Sequence, residues 1–208
     1  MAEKYFSKDE AIKFGWQKTF DNIGLFIKAM IIIFIFSVTL NLFAKQTQDT
    51  NPALSLFLNV VYYFGSIIFG IGLIRIYLKL CDNQEPQFQD LYLGQGLKLW
   101  LSYLVTSLLY ILIVLGGLIL ILVPGIIWAI RFQYCQYLVI DKGLGPVEAL
   151  RKSSKITMGQ KRELFVFGLL LFLINILGFL AFFFGLFITM PLTMIAATSV
   201  YRKLLSQA

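Results

Sequence analysis

The chain has 208 residues, of which 59% are hydrophobic and 14% charged, with a net charge of +7 and a mean hydropathy of +0.80. Soluble domains carry about 25% charge, and a chain this apolar has more greasy surface than one water-soluble core of its size can hide. Histidine is absent, which removes the commonest general base and transition-metal ligand.

The bilayer is therefore the expected solvent, and only helices or closed barrels span it. Barrel strands alternate with period two, whereas Met30–Phe36 and Leu164–Ile174 are apolar all round. The expected fold class is all-α: a polytopic membrane protein with six transmembrane helices in three hairpins, each hairpin preceded by a short amphipathic interfacial helix.

In chain order, Ser7 to Glu10 has the pattern of a capping box opening a helix. Ala11, Ile12, Gly15, Trp16, Thr19 and Phe20 share one side of it, with Trp16 expected at headgroup level. The first 21 residues lack the apolar core of a cleaved signal, so the first span is expected to stay in the protein. That span covers Ile23 to Ala44, with Lys28 snorkelling. A polar loop, Lys45 to Asn51, leads to a second span from Pro52 to Leu80. Pro86 opens a short helix with Phe88 and Leu91 on one face.

The third span is Leu97 to Val123. The fourth, Pro124 to Ile140, is short: Ile126 to Ile140 extends about 22 Å as a helix, against a hydrocarbon core of ~30 Å. Pro146 then starts a surface helix. Val147, Leu150, Ser154 and Met158 line one side of it, and Glu148, Arg151, Lys152 and Lys155 the other, with Gly159 at its C-terminal cap. Leu164 to Tyr201 is free of charge and would be about 57 Å long as one helix, so it must fold back. Pro124-Gly125 and Pro191 are the expected structural turns that begin the fourth and sixth spans, since proline suits the first helical turn.

Basic residues set the orientation. Lys4, Lys8, Lys13, Lys18, Arg75, Lys79, Lys98, Lys142, the cluster from Arg151 to Arg162, Arg202 and Lys203 fall on one side of this topology, and Lys45 on the other. Both termini are expected to be cytoplasmic. Residues 1–208 form a single membrane domain, with a possible threefold repeat over 1–80, 81–143 and 144–208. Glu10-Ala11-Ile12-Lys13 echoes Glu148-Ala149-Leu150-Arg151, and Met190-Pro191-Leu192 echoes Val123-Pro124-Gly125.

Arg131 is the most informative residue. A charge at the centre of a span costs at least ~2.5 kcal/mol, and every carboxylate falls in a terminus or loop. Its expected neighbours are Gln133, Gln136, Asn59 and Asn175, or a lipid phosphate, which makes these five residues a candidate lipid- or anion-binding site. The competing reading is a structural arginine bonded to helix carbonyls. Arg151, Lys152 and Lys155 are a second candidate, for anionic headgroups, against the plainer reading of a solvated basic face. Asn41, Asn59 and Asn175 suit interhelical hydrogen bonds. Ser66 with Gly70, and Ala181 with Gly185, have the spacing of close helix contacts. Aromatic residues such as Tyr62, Tyr63 and Phe182 to Phe184 read as packing or lipid-facing surface.

Enzyme signatures are missing. There is no Ser-His-Asp set or zinc motif, and no phosphate loop. Cys81 and Cys135 have no redox or metal spacing. The expectation is a non-enzymatic protein with no catalytic residue, metal or cofactor and no nucleic-acid partner. Its partners would be membrane lipids, another membrane protein or a second copy of itself. The alternative is a transporter or channel subunit with a site near Arg131.

The stretch L-V-P-G-I-I-W-A-I from Leu122, then Asp141-Lys142, then A-L-R-K-S-S-K-I-T-M-G from Ala149 to Gly159 resembles the YciC-type family of bacterial inner-membrane proteins. That family is related to the membrane domain attached to glycerophosphodiester phosphodiesterases. The resemblance is specific from about Leu120 to Phe167 and is one of hydropathy elsewhere. Pro124, Gly125, Asp141, Ala149, Leu150 and Ser153 carry it. It implies a membrane module of the bacterial inner membrane with a role in envelope or lipid homeostasis. It brings no catalytic residue, because the soluble phosphodiesterase domain is absent.

Overall fold

A computed structural model describes residues 6–93, 96–120, 122–181 and 185–207, and these are helical with no strand. The N-terminal Lys4 and the aromatic run Phe182 to Phe184 lie outside the described residues. In order the helices are α1 (Lys8–Asp21), α2 (Ile23–Thr47), α3 (Pro52–Cys81), a 3-10 turn (Phe88–Leu91), α4 (Leu97–Leu120), α5 (Leu122–Phe132), α6 (Cys135–Lys142), α7 (Pro146–Ile156), α8 (Lys161–Leu180) and α9 (Leu186–Ser206).

Among the described residues four helices are long and apolar enough to cross a membrane: Ile23–Thr47, Pro52–Cys81, Leu97–Ile119 and Lys161–Leu180. The expected fourth span is not one helix. It breaks at Gln133-Tyr134 into α5 and α6. The expected sixth, α9, is 21 residues long but turns much of its surface inward: Leu192, Ile195, Ala196, Val200, Tyr201 and Leu204 are all buried.

Two of the five prolines stand where expected and three do not: Pro86 does not open the 3-10 turn, which begins at Phe88 after its cap residue Gln87. Pro52 and Pro146 open α3 and α7. Pro124 is the third residue of α5 rather than its start, a position whose N–H is unpaired in any helix. Pro191 lies inside α9, where it leaves the Phe187 carbonyl without its usual donor. Gly125 is not a turn either. It is buried within α5, where a side chain would strike Leu118 of α4, and a Cβ on Gly117 would meet the Gly125 backbone in turn. The pair lets α4 and α5 touch backbone to backbone. Gly178 of α8 and Gly185 make a similar approach, while Ala181 and Ser66 from the expected small-residue pairs are exposed.

The Ser7 side chain caps α1 by accepting from the Glu10 N–H at 3.2 Å, but Glu10 does not reach back; its carboxylate lies 3.5 Å from Lys203 on α9. The apolar side of α1 is divided. Ala11, Gly15 and Thr19, at four-residue spacing, are buried against α9, where a Cβ on Gly15 would meet the Leu192 carbonyl. Trp16 and Phe20 lie beside that seam, exposed and in ring contact at 4.6 Å. The α7 face is shifted from the expected one: Ala149, Leu150, Ser153 and Ile156 point inward, and Val147 and Met158 outward. Gly143 and Gly159, at φ +64 and +84, end α6 and follow α7, where a left-handed conformation favours glycine.

Charged ends gather at one end of the bundle. Lys8 pairs with Glu163 at 2.6 Å, Lys18 donates to the Asn83 side chain at 2.9 Å, and Arg202 on α9 reaches both Asp82 after α3 and Asp141 on α6 at 2.6 and 2.7 Å. The 3-10 turn is clasped onto the last turns of α3 at the same end. Lys79 pairs with Asp90 at 2.6 Å, Arg75 donates to the Leu93 carbonyl at 2.9 Å, and the Leu91 backbone rests directly on Gly72.

The break between α5 and α6 leaves backbone groups that a continuous helix would pair. Ser153 of α7 donates its hydroxyl to the Arg131 carbonyl at 3.1 Å and accepts from the Tyr134 N–H at 3.3 Å. Thr157 also lies 3.1 Å from the Arg131 carbonyl. Both side chains are fully buried, so no water substitutes for them. Removing one partner of a buried hydrogen bond costs ~1–3 kcal/mol. Ser153→Ala is accordingly expected to destabilise the protein by about 2 kcal/mol, read as a lower thermal midpoint in detergent, with Ser153→Thr less damaging. Gly72→Leu would force the Leu91 segment off α3. Overpacking of this kind costs ~1–3 kcal/mol, and faster protease cleavage between Asp82 and Leu93 is the expected result.

Candidate functional site

The five residues grouped around Arg131 from sequence separate in space into three places. Arg131 sits in the last turn of α5, exposed, with its Nε donating to the Ser154 hydroxyl of α7 and its guanidinium 5.5 Å from the Phe132 ring. It is thereby brought beside the other candidate set. Arg151, Lys152 and Lys155 are exposed on the outer face of α7, flanking Ser154 in sequence. Lys161 and Arg162, also exposed, open α8 just beyond Gly159. None of these cations takes part in an ion pair among the described residues. The result is a basic ledge bordered by the exposed apolar side chains of Val147, Met158 and Phe165.

Gln133, Gln136 and Asn175 go elsewhere, to the wall of a cavity of about 1010 Å³ between α2, α3, α4, α6 and α9. Gln136 donates to the Ser107 hydroxyl of α4 at 3.0 Å. Asn175 of α8 donates to Thr193 of α9 at 3.1 Å, the one expected interhelical asparagine that makes such a bond among the described residues. Asn41 and Asn59 instead donate to carbonyls of their own helices, at 2.8 Å each. The Nε2 of Gln133 and the Oδ1 of Asn175 are buried without a hydrogen-bond partner. Gln133 and Tyr110 also border a smaller groove of about 310 Å³ running along α8 past Phe165, Leu169 and Phe172. The break at Gln133-Tyr134 thus sends Arg131 outward to the ledge and Gln133 inward to the cavity.

Asn59 lies at the α2–α3 connection, in a shallow depression of about 490 Å³ shared with Asn41, Lys45 and Gln48. The 25 residues of α2, about 37 Å of helix, separate that place from the end where α1 joins. Ser55 ties the connection by donating to the Ala44 carbonyl at 2.8 Å.

One cluster escaped the sequence reading. The Asp141 carboxylate accepts from the Tyr201 hydroxyl at 2.9 Å and from Arg202 at 2.7 Å, with Lys142 3.3 Å away. Arg202 bridges on to Asp82. Partial burial of the guanidinium opposes its charge, but the Asp141 and Asp82 carboxylates outweigh this and raise its pKa further above the ordinary arginine value. Tyr134, Tyr137 and Tyr201 stack against one another beneath it, with ring centroids 5.4–5.9 Å apart. The signal was available in outline: Asp82, Asp141 and Arg202 each follow an apolar run that returns to the same side.

No family model matches the chain, and no solved structure matches it. A curated relative does: a UPF0259 membrane protein of Sodalis glossinidius (strain morsitans), 29% identical over 100 residues. The match takes in 48% of this chain and 40% of the relative, so less than half of either protein is compared. The likeness supports a place among bacterial membrane proteins. Together with the four long apolar helices it supports a multi-pass membrane protein.

Proposed function

We propose that the chain is a non-enzymatic, YciC-type inner-membrane protein that binds anionic lipid headgroups and serves envelope maintenance. The observation that carries this reading is the ledge: Arg131 with Arg151, Lys152 and Lys155, unpaired with any carboxylate among the described residues and bordered by exposed apolar side chains. Each cation near an anionic membrane surface contributes ~1 kcal/mol. Its neighbours offer the acyl region a surface to rest on.

In the same proposal all six expected spans are counted as crossings, α5 with α6 making one and α9 another, in three hairpins. The contacts of α2 with α3, of α4 with α5 and α6, and of α8 with α9 support that arrangement. So does the gathering of charge-bearing helix ends at one end of the bundle, which positive-inside bias would make cytoplasmic, together with both termini. The threefold repeat over 1–80, 81–143 and 144–208 belongs to the proposal as well, as does a membrane-protein partner or a second copy. The transporter or channel alternative keeps a motive in the broken α5–α6 segment beside a cavity, a device found in carriers.

The test is native mass spectrometry from mild detergent. The wild type is expected to retain phosphatidylglycerol. Single alanine substitutions at Arg131, Arg151, Lys152 and Lys155 should each weaken retention about fivefold, the equivalent of ~1 kcal/mol. Equal retention by the wild type and a variant lacking all four cations would sink the reading. Incubation with glycerophospholipids is expected to give no product, and steady turnover would return the chain to the enzymes.

A further inference from the structure

We propose that the cavity between α2, α3, α4, α6 and α9 binds an uncharged glycerolipid carrying a free hydroxyl, of the diacylglycerol class. The site is distinct from the basic ledge in chemistry and in place.

The argument begins with what lines the space. Its polar groups are neutral: the amides of Gln133, Gln136 and Asn175, the hydroxyls of Ser37 and Thr193, and tyrosines such as Tyr77 and Tyr103; the rest is aliphatic and aromatic. Among the described residues no Asp, Glu, Lys or Arg borders it. An ionised headgroup entering it would find no counter-charge among these lining residues, and burying an unpaired charge away from water is costly. The cavity therefore selects against phosphatidic acid and phosphatidylglycerol, the lipids suited to the ledge.

Two unmet hydrogen-bonding groups define the neutral head that fits. Gln133 Nε2 is a donor without a partner, and Asn175 Oδ1 an acceptor without one. The Asn175 amide is held by its bonds to Leu171 and Thr193, so its oxygen is fixed as the acceptor. Each buried, unpaired group costs ~1–3 kcal/mol, and both residues border the cavity. An ester carbonyl meets the first and a free hydroxyl the second. Diacylglycerol carries both on adjacent carbons, whereas a quinone presents acceptors alone.

The rim shows how the acyl chains leave. Phe34 on α2 and Met190 and Met194 on α9 border the cavity and are exposed, so the mouth opens on the lipid-facing side of the bundle. Methionine side chains adapt to variable apolar shapes. At about 1010 Å³ the space lies at the upper end of ligand pockets, ~300–1,000 Å³. It holds the glycerol head and the first part of the chains, leaving the remainder in the bilayer.

The test uses the full chain in phosphatidylcholine vesicles with a diacylglycerol that bears a photoreactive group in one acyl chain. Crosslinks are expected on residues 30–37 and 186–197. Unlabelled dioleoylglycerol should compete at least about tenfold better than dioleoylphosphatidic acid. Gln133→Leu and Asn175→Leu should each reduce labelling about fivefold, and Ala197→Phe, which narrows the cavity, should reduce it too. If these variants fail to fold, the competition series and crosslink map on the wild type decide alone. Labelling spread evenly along α4 and α8, or equal competition by phosphatidic acid, would overturn the proposal. The proposal rests on the membrane reading but not on the ledge: loss of phosphatidylglycerol retention without loss of cavity labelling, or the reverse, separates the two.

Discussion

Two hydroxyls hold this bundle to its shape. The segment from Leu122 to Lys142 does not run as one straight helix: it breaks after Phe132. The break leaves a carbonyl and an N–H that nothing apolar can satisfy, and leaving them buried and bare would be costly. Ser153 and Thr157, carried on a neighbouring helix, take up those groups. This holds α7 against the α5–α6 junction. The junction, once fixed, aims residues two apart in sequence at opposite sides. Arg131 goes to the basic face of α7, and Gln133 to the interior cavity.

A second tie closes the same end. Arg202 bonds to carboxylates that follow α3 and lie on α6, while Tyr201 bonds to one of them and stacks on Tyr134 and Tyr137. Three returning apolar segments are thus pinned to one another by one guanidinium. The 3-10 turn adds a third tie, held on α3 by Lys79, Arg75 and the bare backbone of Gly72. At the other end the α2–α3 connection is tied by the Ser55 hydroxyl, by Thr47 bonding within α2 and by the Asn51 cap of α3. The bundle is tied tightly where the charges are and loosely where they are not.

The uncharged cavity follows from this division. Among the described residues the ion pairs gather at one end and further cations line the ledge, while the cavity wall carries phenols, amides and hydroxyls. Such groups do not demand a charged ligand, and they tolerate a dry environment when hydrogen-bonded. The bundle therefore presents two chemically separate surfaces, a basic one outside and a neutral one within.

Composition and hydropathy alone determined that the chain is helical and built for a bilayer, because no aqueous core absorbs so much apolar surface. Local rules likewise predicted the Ser7 cap, the proline starts of α3 and α7, Gly159, and the exposed basic face of Arg151, Lys152 and Lys155. These are one-helix properties, set by neighbours within a turn or two. Pro124, Gly125 and Pro191 were misplaced because a proline or glycine in an apolar run marks a possible turn, while the backbone contact at Gly117 and Gly125 that uses the glycine is made by another helix. The grouping of Arg131 with Gln133 and Asn59 failed for the same reason. Position along a span says how deep a residue lies, but which way it faces was decided by the α5–α6 break and the hydroxyls that seal it, and those depend on packing between helices distant in sequence.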